Sequence, residues 1–295
     1  MDWLEEFPAL SRGALREIKK GIDLGFRQFT REYGEFWENL FMPLRDFLLW
    51  SESLLTESPW LIILAGLAAL AWMATRNWKI VLGSVLTMVV IGIFGMWEDT
   101  MKTVSMVFVS TLVSLALGLP IGVLMSRYDP LQRVVSPVLD VMQTMPSFVY
   151  LIPVVMLLGI GKVPGLIAVV IFSIPPVIRF TNLGIRLVPA DMLEAADAFG
   201  TSYWQKLLKV QFPLSLPTIM GGVNQTIMLA LSMVVIASMI GVQGLGQPVL
   251  KAISNQYFTL GVFNGMAIVG IAIIFDRISQ AYGKRLQRHL EVVHG

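Results

Sequence analysis

Residues 194–217, EAADAFGTSYWQKLLKVQFPLSLP, decide how this chain is read. They form a polar insert, with Glu194, Asp197, Lys206 and Lys209, in a sequence that is otherwise mostly apolar. Pro189 suits a first helical turn, and Asp191 favours the positive end of a helix dipole. Gly200 can take the left-handed conformation that ends a helix. Ser202 with Gln205 three residues later fits a capping box, and Pro213 is expected to stop the second run. The stretch therefore reads as two short helices bent at a glycine. Its charges exclude it from hydrocarbon, so it belongs at a membrane surface, available to a partner.

The rest of the chain supplies the membrane. Of 295 residues 55% are hydrophobic and 14% charged, and mean hydropathy is +0.70, outside the range of soluble domains. Seven apolar spans are expected, at about 59–75, 80–97, 103–125, 137–160, 163–180, 217–242 and 258–275, since a crossing takes about 20 residues. The fourth contains Asp140, Gln143, Pro146 and Pro153 and is the least ordinary. The first 58 residues hold 7 basic and 11 acidic residues and are amphipathic, with Leu15, Ile18, Ile22 and Phe26 at helical spacing. They read either as an interfacial helix or as a partly ordered tail. The N-terminus lacks a basic region followed by an apolar one, so the first span is expected to be retained.

Orientation follows from the short loops. Arg76, Lys79, Arg127, Arg133, Arg179, Arg186, Lys206 and Lys209 fall on one side, followed by Lys284, Arg285 and Arg288. That side is expected to be cytoplasmic, which puts the 194–217 insert and the C-terminus inside and the N-terminal tail outside.

Several chemistries are excluded. Without cysteine there are no disulfides or thiolate metal sites. The two histidines, His289 and His294, sit in the C-terminal tail, away from any span. Gly159, Gly161 and Lys162 lack Walker A spacing, and the glycines at 241, 244 and 246 lack the strand–turn–helix context of a nucleotide fold. No catalytic residue, metal site or cofactor is expected in this chain, and no nucleic-acid partner.

The insert resembles the EAA motif of ABC-importer permeases: Glu194-Ala195-Ala196, a glycine four residues on at Gly200, nine residues, then Val210-Gln211-Phe212-Pro213. Val210 and Phe212 replace the usual isoleucine and leucine. Two further segments, Pro137-Val-Leu-Asp-Val-Met-Gln-Thr144 and Asn224-Gln-Thr-Ile-Met-Leu-Ala-Leu-Ser-Met-Val-Val-Ile-Ala-Ser-Met-Ile240, are similar to the permease subunit of proline/glycine betaine importers. The similarity covers about residues 59–284, with a core at about 99–284.

The resemblance implies an all-α integral membrane protein of the type I ABC-importer permease fold, multi-pass in a bacterial inner membrane. It implies a homodimer, two ABC ATPase subunits that carry the ATP and Mg, and an external substrate-binding protein. By the same resemblance Glu194, Ala195, Ala196, Asp197 and Gly200 contact the ATPase. The cargo implied is a compatible solute such as glycine betaine or proline betaine, with choline, carnitine or histidine as neighbours, and the role is osmoprotection. The alternatives are an ion-coupled secondary carrier, which needs no EAA helix, and a membrane-embedded enzyme, for which the spans hold no catalytic constellation.

Polar residues within spans are the remaining signal. Asp140 costs about 2.5–3.5 kcal/mol at a helix centre, so it should face protein or water. With Gln143, Thr144, Pro146, Asn224, Gln225 and Ser232 it forms a set that either lines a pathway or bonds helix to helix. Pro146, Pro153, Pro175 and Pro176 either break spans four and five or bend them.

Overall fold

The computed structural model describes residues 10–293, with side chains as far as residue 285. His289, His294 and Arg288 fall outside the described side chains. Twelve α-helices follow in order among these residues, joined by short turns: α1 Arg12–Glu57, α2 Trp60–Thr75, α3 Trp78–Ile93, α4 Trp97–Arg127, α5 Asp129–Thr144, α6 Leu151–Leu158, α7 Lys162–Arg186, α8 Ala190–Ala198, α9 Tyr203–Lys206, α10 Phe212–Ala237, α11 Gly246–Asn255 and α12 Phe258–Val293.

At the centre is α7, packed against α4 on one side and α10 on the other. Small residues let these helices approach closely. A Cβ added at Gly118 of α4 would lie 2.3 Å from Val177 Cγ1, and one at Gly122 would lie 2.6 Å from Thr181 Cβ and 2.8 Å from the Ile178 carbonyl oxygen. Gly222 of α10 meets Phe180 and the Pro176 carbonyl in the same way. Pro175 and Pro176, buried at these crossings, do not interrupt α7. The hydroxyls of Ser114 and Ser173 share a hydrogen bond of 3.2 Å between α4 and α7.

The expected fourth span is corrected. It is not one continuous helix but a bent pair, α5 and the Ser147–Leu158 segment, with 111° between them. The physical cause is Pro146. Its ring drives the preceding Met145 out of the helical region, to ψ 135°. Pro153 sits in the first turn of α6, where its missing N–H is no loss. The Tyr150 hydroxyl donates to the Met142 carbonyl across the bend.

The count of seven spans is therefore only approximate. Among the described residues four helices are long and apolar enough to cross a membrane, or up to six if each bent pair is one span, and α3 is apolar but shorter. The other bent pair is α1 with α2, at 109°. Residues 12–57 form one helix that continues through Pro43. Its second half packs on α4, α6 and α7. There Ser105 Oγ donates to Ser51 Oγ at 3.1 Å, and Lys162 Nζ bonds both Glu52 carboxylate oxygens at 2.7 and 2.8 Å. Its first half carries Ile18, Ile22 and Phe29 exposed.

The ends of the bundle are tied separately. At one end Gly161 N–H donates to the Ile240 carbonyl, and Leu245 N–H donates to Thr103 Oγ1 at 2.9 Å. At the other Arg186 reaches Asp129 Oδ1 at 2.6 Å, the Met125 carbonyl at 2.9 Å and Asn182 Oδ1 at 3.0 Å, joining the ends of α4, α5 and α7.

Gly122→Leu forces a side chain against backbone at the α4–α7 crossing and is expected to destabilise the fold by about 1–3 kcal/mol. Thermal unfolding of the purified chain measures it. Gly83→Ala, where an added Cβ meets nothing within 4 Å, should leave the midpoint unchanged or slightly raised.

Candidate coupling element and pathway residues

The 194–217 insert folds as its chemistry requires. α8 follows Pro189 and carries Asp191 in its first turn. It closes with Gly200 N–H donating to the Asp197 carbonyl at 2.9 Å and Thr201 N–H to the Ala196 carbonyl at 3.2 Å. That pair of bonds is a Schellman ending, and Gly200 supplies the left-handed residue with φ +69°. Ser202 and Gln205 then form the capping box that opens α9. Lys206 Nζ bonds Asp197 Oδ1 at 2.5 Å, so the two helices are also tied side chain to side chain. The Arg127 guanidinium, at the end of α4, lies 4.0 Å from the centroid of the Tyr203 ring.

Pro213 does not stop the second helix, which is a correction. The Leu207–Gln211 segment widens into a π-helical turn and runs straight into α10. Phe212 N–H bonds the Leu207 carbonyl, five residues back. A wide turn relieves the clash that a proline ring makes with the carbonyl four residues before it, so the helix survives. Tyr203–Ile240 is in effect one rod.

Glu194, Ala195, Asp197 and Gly200 are exposed, and Ala196 is buried. Three large apolar side chains stand free beside them: Phe199 at 88% exposure, with Trp204 and Leu208 also exposed. The reading of motif residues alone missed them. Their signal is present in the sequence as bulky apolar residues in an insert that no span can bury.

The polar residues within spans do not converge. Asp140 pairs with Arg179 of α7 at 2.5 Å while remaining largely exposed. Gln143, Thr144 and Pro146 are exposed beside the α5–α6 bend, and the Thr144 hydroxyl donates to the Val141 carbonyl. Asn224 is engaged elsewhere. Its Nδ2 donates to Asp276 Oδ1 at 3.0 Å, and Ser279 Oγ donates to its Oδ1 at 2.6 Å, which ties α10 to α12. Gln225 and Ser232 are exposed on α10, the Ser232 hydroxyl donating to the Met228 carbonyl. Among the described residues no group of three or more carboxylates or histidines is placed to hold a metal ion.

The structure is thus a centrally glycine-packed bundle with a polar helical element between two spans. Residues 114–288 match the family model "Binding-protein-dependent transport system inner membrane component". The chain is 40% identical over 293 residues to the glycine betaine/proline betaine transport system permease protein ProW of Escherichia coli, covering 96% of this chain and 82% of that one. It is 47% identical over 229 residues to the glycine betaine/carnitine transport permease protein GbuB of Listeria monocytogenes (77% and 81% covered). With the glycine betaine transport system permease protein OpuAB of Bacillus subtilis it shares 44% over 260 residues (88% and 92% covered). Among solved structures, one of the MetNI methionine ABC transporter matches with a TM-score of 0.57 at 21% identity, covering 63% of this chain and 93% of that one, a likeness of fold. The chain belongs to the family of binding-protein-dependent transport system inner membrane components. It is an all-α, multi-pass inner-membrane protein.

Asn224→Ala leaves Asp276 short of a donor within the bundle and is expected to cost about 1–3 kcal/mol, read as a lowered unfolding midpoint. Single-cysteine variants separate the two groups of polar residues, because the native chain has none. Cysteine at Gln143 should react with a membrane-impermeant thiol reagent, and cysteine at Asn224 should not.

Proposed function

We propose that this chain is the permease of an ATP-driven importer for a compatible solute of the glycine betaine type, serving osmoprotection. Two copies enclose the pathway, two ATPase subunits holding ATP and Mg bind the cytoplasmic side, and an external binding protein delivers the cargo. The names of the relatives support the solute class. The exposed α8–α9 element carries the case for an ATPase partner. A polar, rigidly capped hairpin with a fully presented phenylalanine has the makeup of a docking surface: an aromatic anchor beside small residues and a charge. Glu194, Ala195 and Gly200 lie at the contact and Phe199 enters a pocket of the ATPase. Asp197 acts from within, through Lys206. Closure of the ATPases moves α9, and α10 moves with it, which is alternating access. The N-terminus lies outside and the C-terminus inside. The exposed Asp140, Gln143, Thr144, Pro146, Gln225 and Ser232 supply the pathway surface.

Gly200→Val places a β-branched residue at φ +69°, a cost of roughly 1–2 kcal/mol in local conformation. An added Cβ there meets nothing within 4 Å, so the strain is conformational alone. Gly200→Val, Glu194→Lys and Phe199→Ala should each leave the chain inserted in the membrane. Each should weaken co-purification of the ATPase or uncouple hydrolysis from uptake. Normal co-purification, substrate-stimulated hydrolysis and uptake in all three would sink the coupling role. Uptake driven by an ion gradient without ATP would point instead to a secondary carrier.

A further inference from the structure

Two arginines stand two turns apart on α7, about 10 Å along its axis, and the structure treats them differently. Arg186 is settled, with an acceptor from each of α4, α5 and α7. Arg179 is not. Among the described residues it makes one hydrogen bond, from Nη2 to Asp140 Oδ1, and its Nε is covered yet meets no acceptor. A guanidinium carries five N–H donors, and a buried donor left unmet costs free energy. The bridge itself lies open, with the two side chains 37% and 64% exposed. A pair so exposed holds its helices weakly and separates readily.

The surroundings are polar. Ser136, Asp140 and Gln143 fall on one face of α5 at helical spacing, and Asp140, Gln143 and the adjacent Thr144 are exposed. The site therefore presents one positive and one negative group beside neutral polar ones. A lone anion or cation would leave one member of the pair unmatched. A small zwitterion matches both. Its carboxylate takes two parallel N–H donors from Arg179, in the fork geometry that suits arginine, and its cationic end faces Asp140. The exchange keeps the site neutral and meets more of the guanidinium's donors than the internal bridge does. A quaternary ammonium has no N–H to donate. It needs only a negative charge at close range, which the exposed Asp140 carboxylate supplies.

We propose that Arg179 and Asp140 form a cargo-contact site on the permease itself, in which Arg179 reads the carboxylate of a zwitterionic solute. This rests on the reading of the cargo as a solute of the glycine betaine type. The permease–ATPase complex is placed in lipid nanodiscs without binding protein. Saturation-transfer NMR then probes it with glycine betaine and with choline, which has a similar ammonium but a hydroxyl in place of the carboxylate. Glycine betaine should give the stronger signal. In Arg179→Gln that signal should fall about tenfold, as loss of a charge-assisted pair of bonds implies. Arg179→Lys, which keeps the charge but not the fork, should fall between. Removing both charges in Arg179→Gln/Asp140→Asn separates recognition from architecture. A bridge that only held α5 on α7 would let the double variant recover; a carboxylate reader leaves it as low as the single one. Asp129→Asn loosens the neighbouring bridge to Arg186 and should leave the signal unchanged, which guards against a general effect on α5. Uptake by the complete importer in proteoliposomes should follow the same order. Equal signals from the two probes, indifference to Arg179→Gln, or recovery in the double variant overturns the site. Normal glycine betaine uptake in both the wild type and Arg179→Gln strikes this site alone, whereas a wild-type importer that takes up no glycine betaine strikes the reading of the cargo.

Discussion

The structure depends on how closely two helices can approach α7. Hydrocarbon provides no hydrophobic drive to press helices together, so association rests on packing at short range. Gly118, Gly122 and Gly222 allow α4 and α10 to meet α7 almost backbone to backbone. The same crossings bury Pro175 and Pro176, which keeps the carbonyls they free away from lipid. Everything else is attached around that sandwich: α12 on α10, α1 across α4, and α5 against α7 through the Asp140–Arg179 and Asp129–Arg186 pairs. Those two pairs are largely exposed, so they orient α5 more than they stabilise it.

Much of this was legible in the sequence, and the prolines show where legibility ends. Apolar length found α4, α7, α10 and α12, because a long apolar run has few other uses. Proline does not act by identity alone. Pro146 breaks the chain and Pro153 starts a helix, while Pro175, Pro176 and Pro213 are absorbed within helices. The difference lies in what surrounds each ring. A tight helix–helix crossing or a π turn shelters the disrupted carbonyls, and that surrounding is tertiary. A 46-residue first helix was not foreseen either, since its two halves are amphipathic in different company. Its first half is exposed and its second is docked.

The 194–217 insert was readable almost bond by bond, because its signals are local: a left-handed glycine, a capping box, an acid in the first turn. Burial within it was not. Ala196 and Ala195 are adjacent and identical in type, yet only Ala196 is covered, a distinction set by which face of α8 meets the rest of the chain. Asn224 shows the same limit. Its polarity announced a constraint, but only the position of Asp276 and Ser279 on the facing helix said which one.

The unbroken path from Tyr203 to Ile240 has a mechanical consequence. At 1.5 Å per residue a 38-residue rod is about 57 Å long, so a tilt of about 5° around its midpoint shifts each end by roughly 2.5 Å in opposite directions. The α8–α9 end and the loop at the other end, where Leu245 is bonded to Thr103, are thus two ends of one see-saw. Its winding departs from the α-helix near one end, at the π turn at Leu207–Gln211, which gives it a place to bend. A stiff beam with one joint near its α8–α9 end divides any applied displacement between bending at the joint and motion at the far side of the membrane.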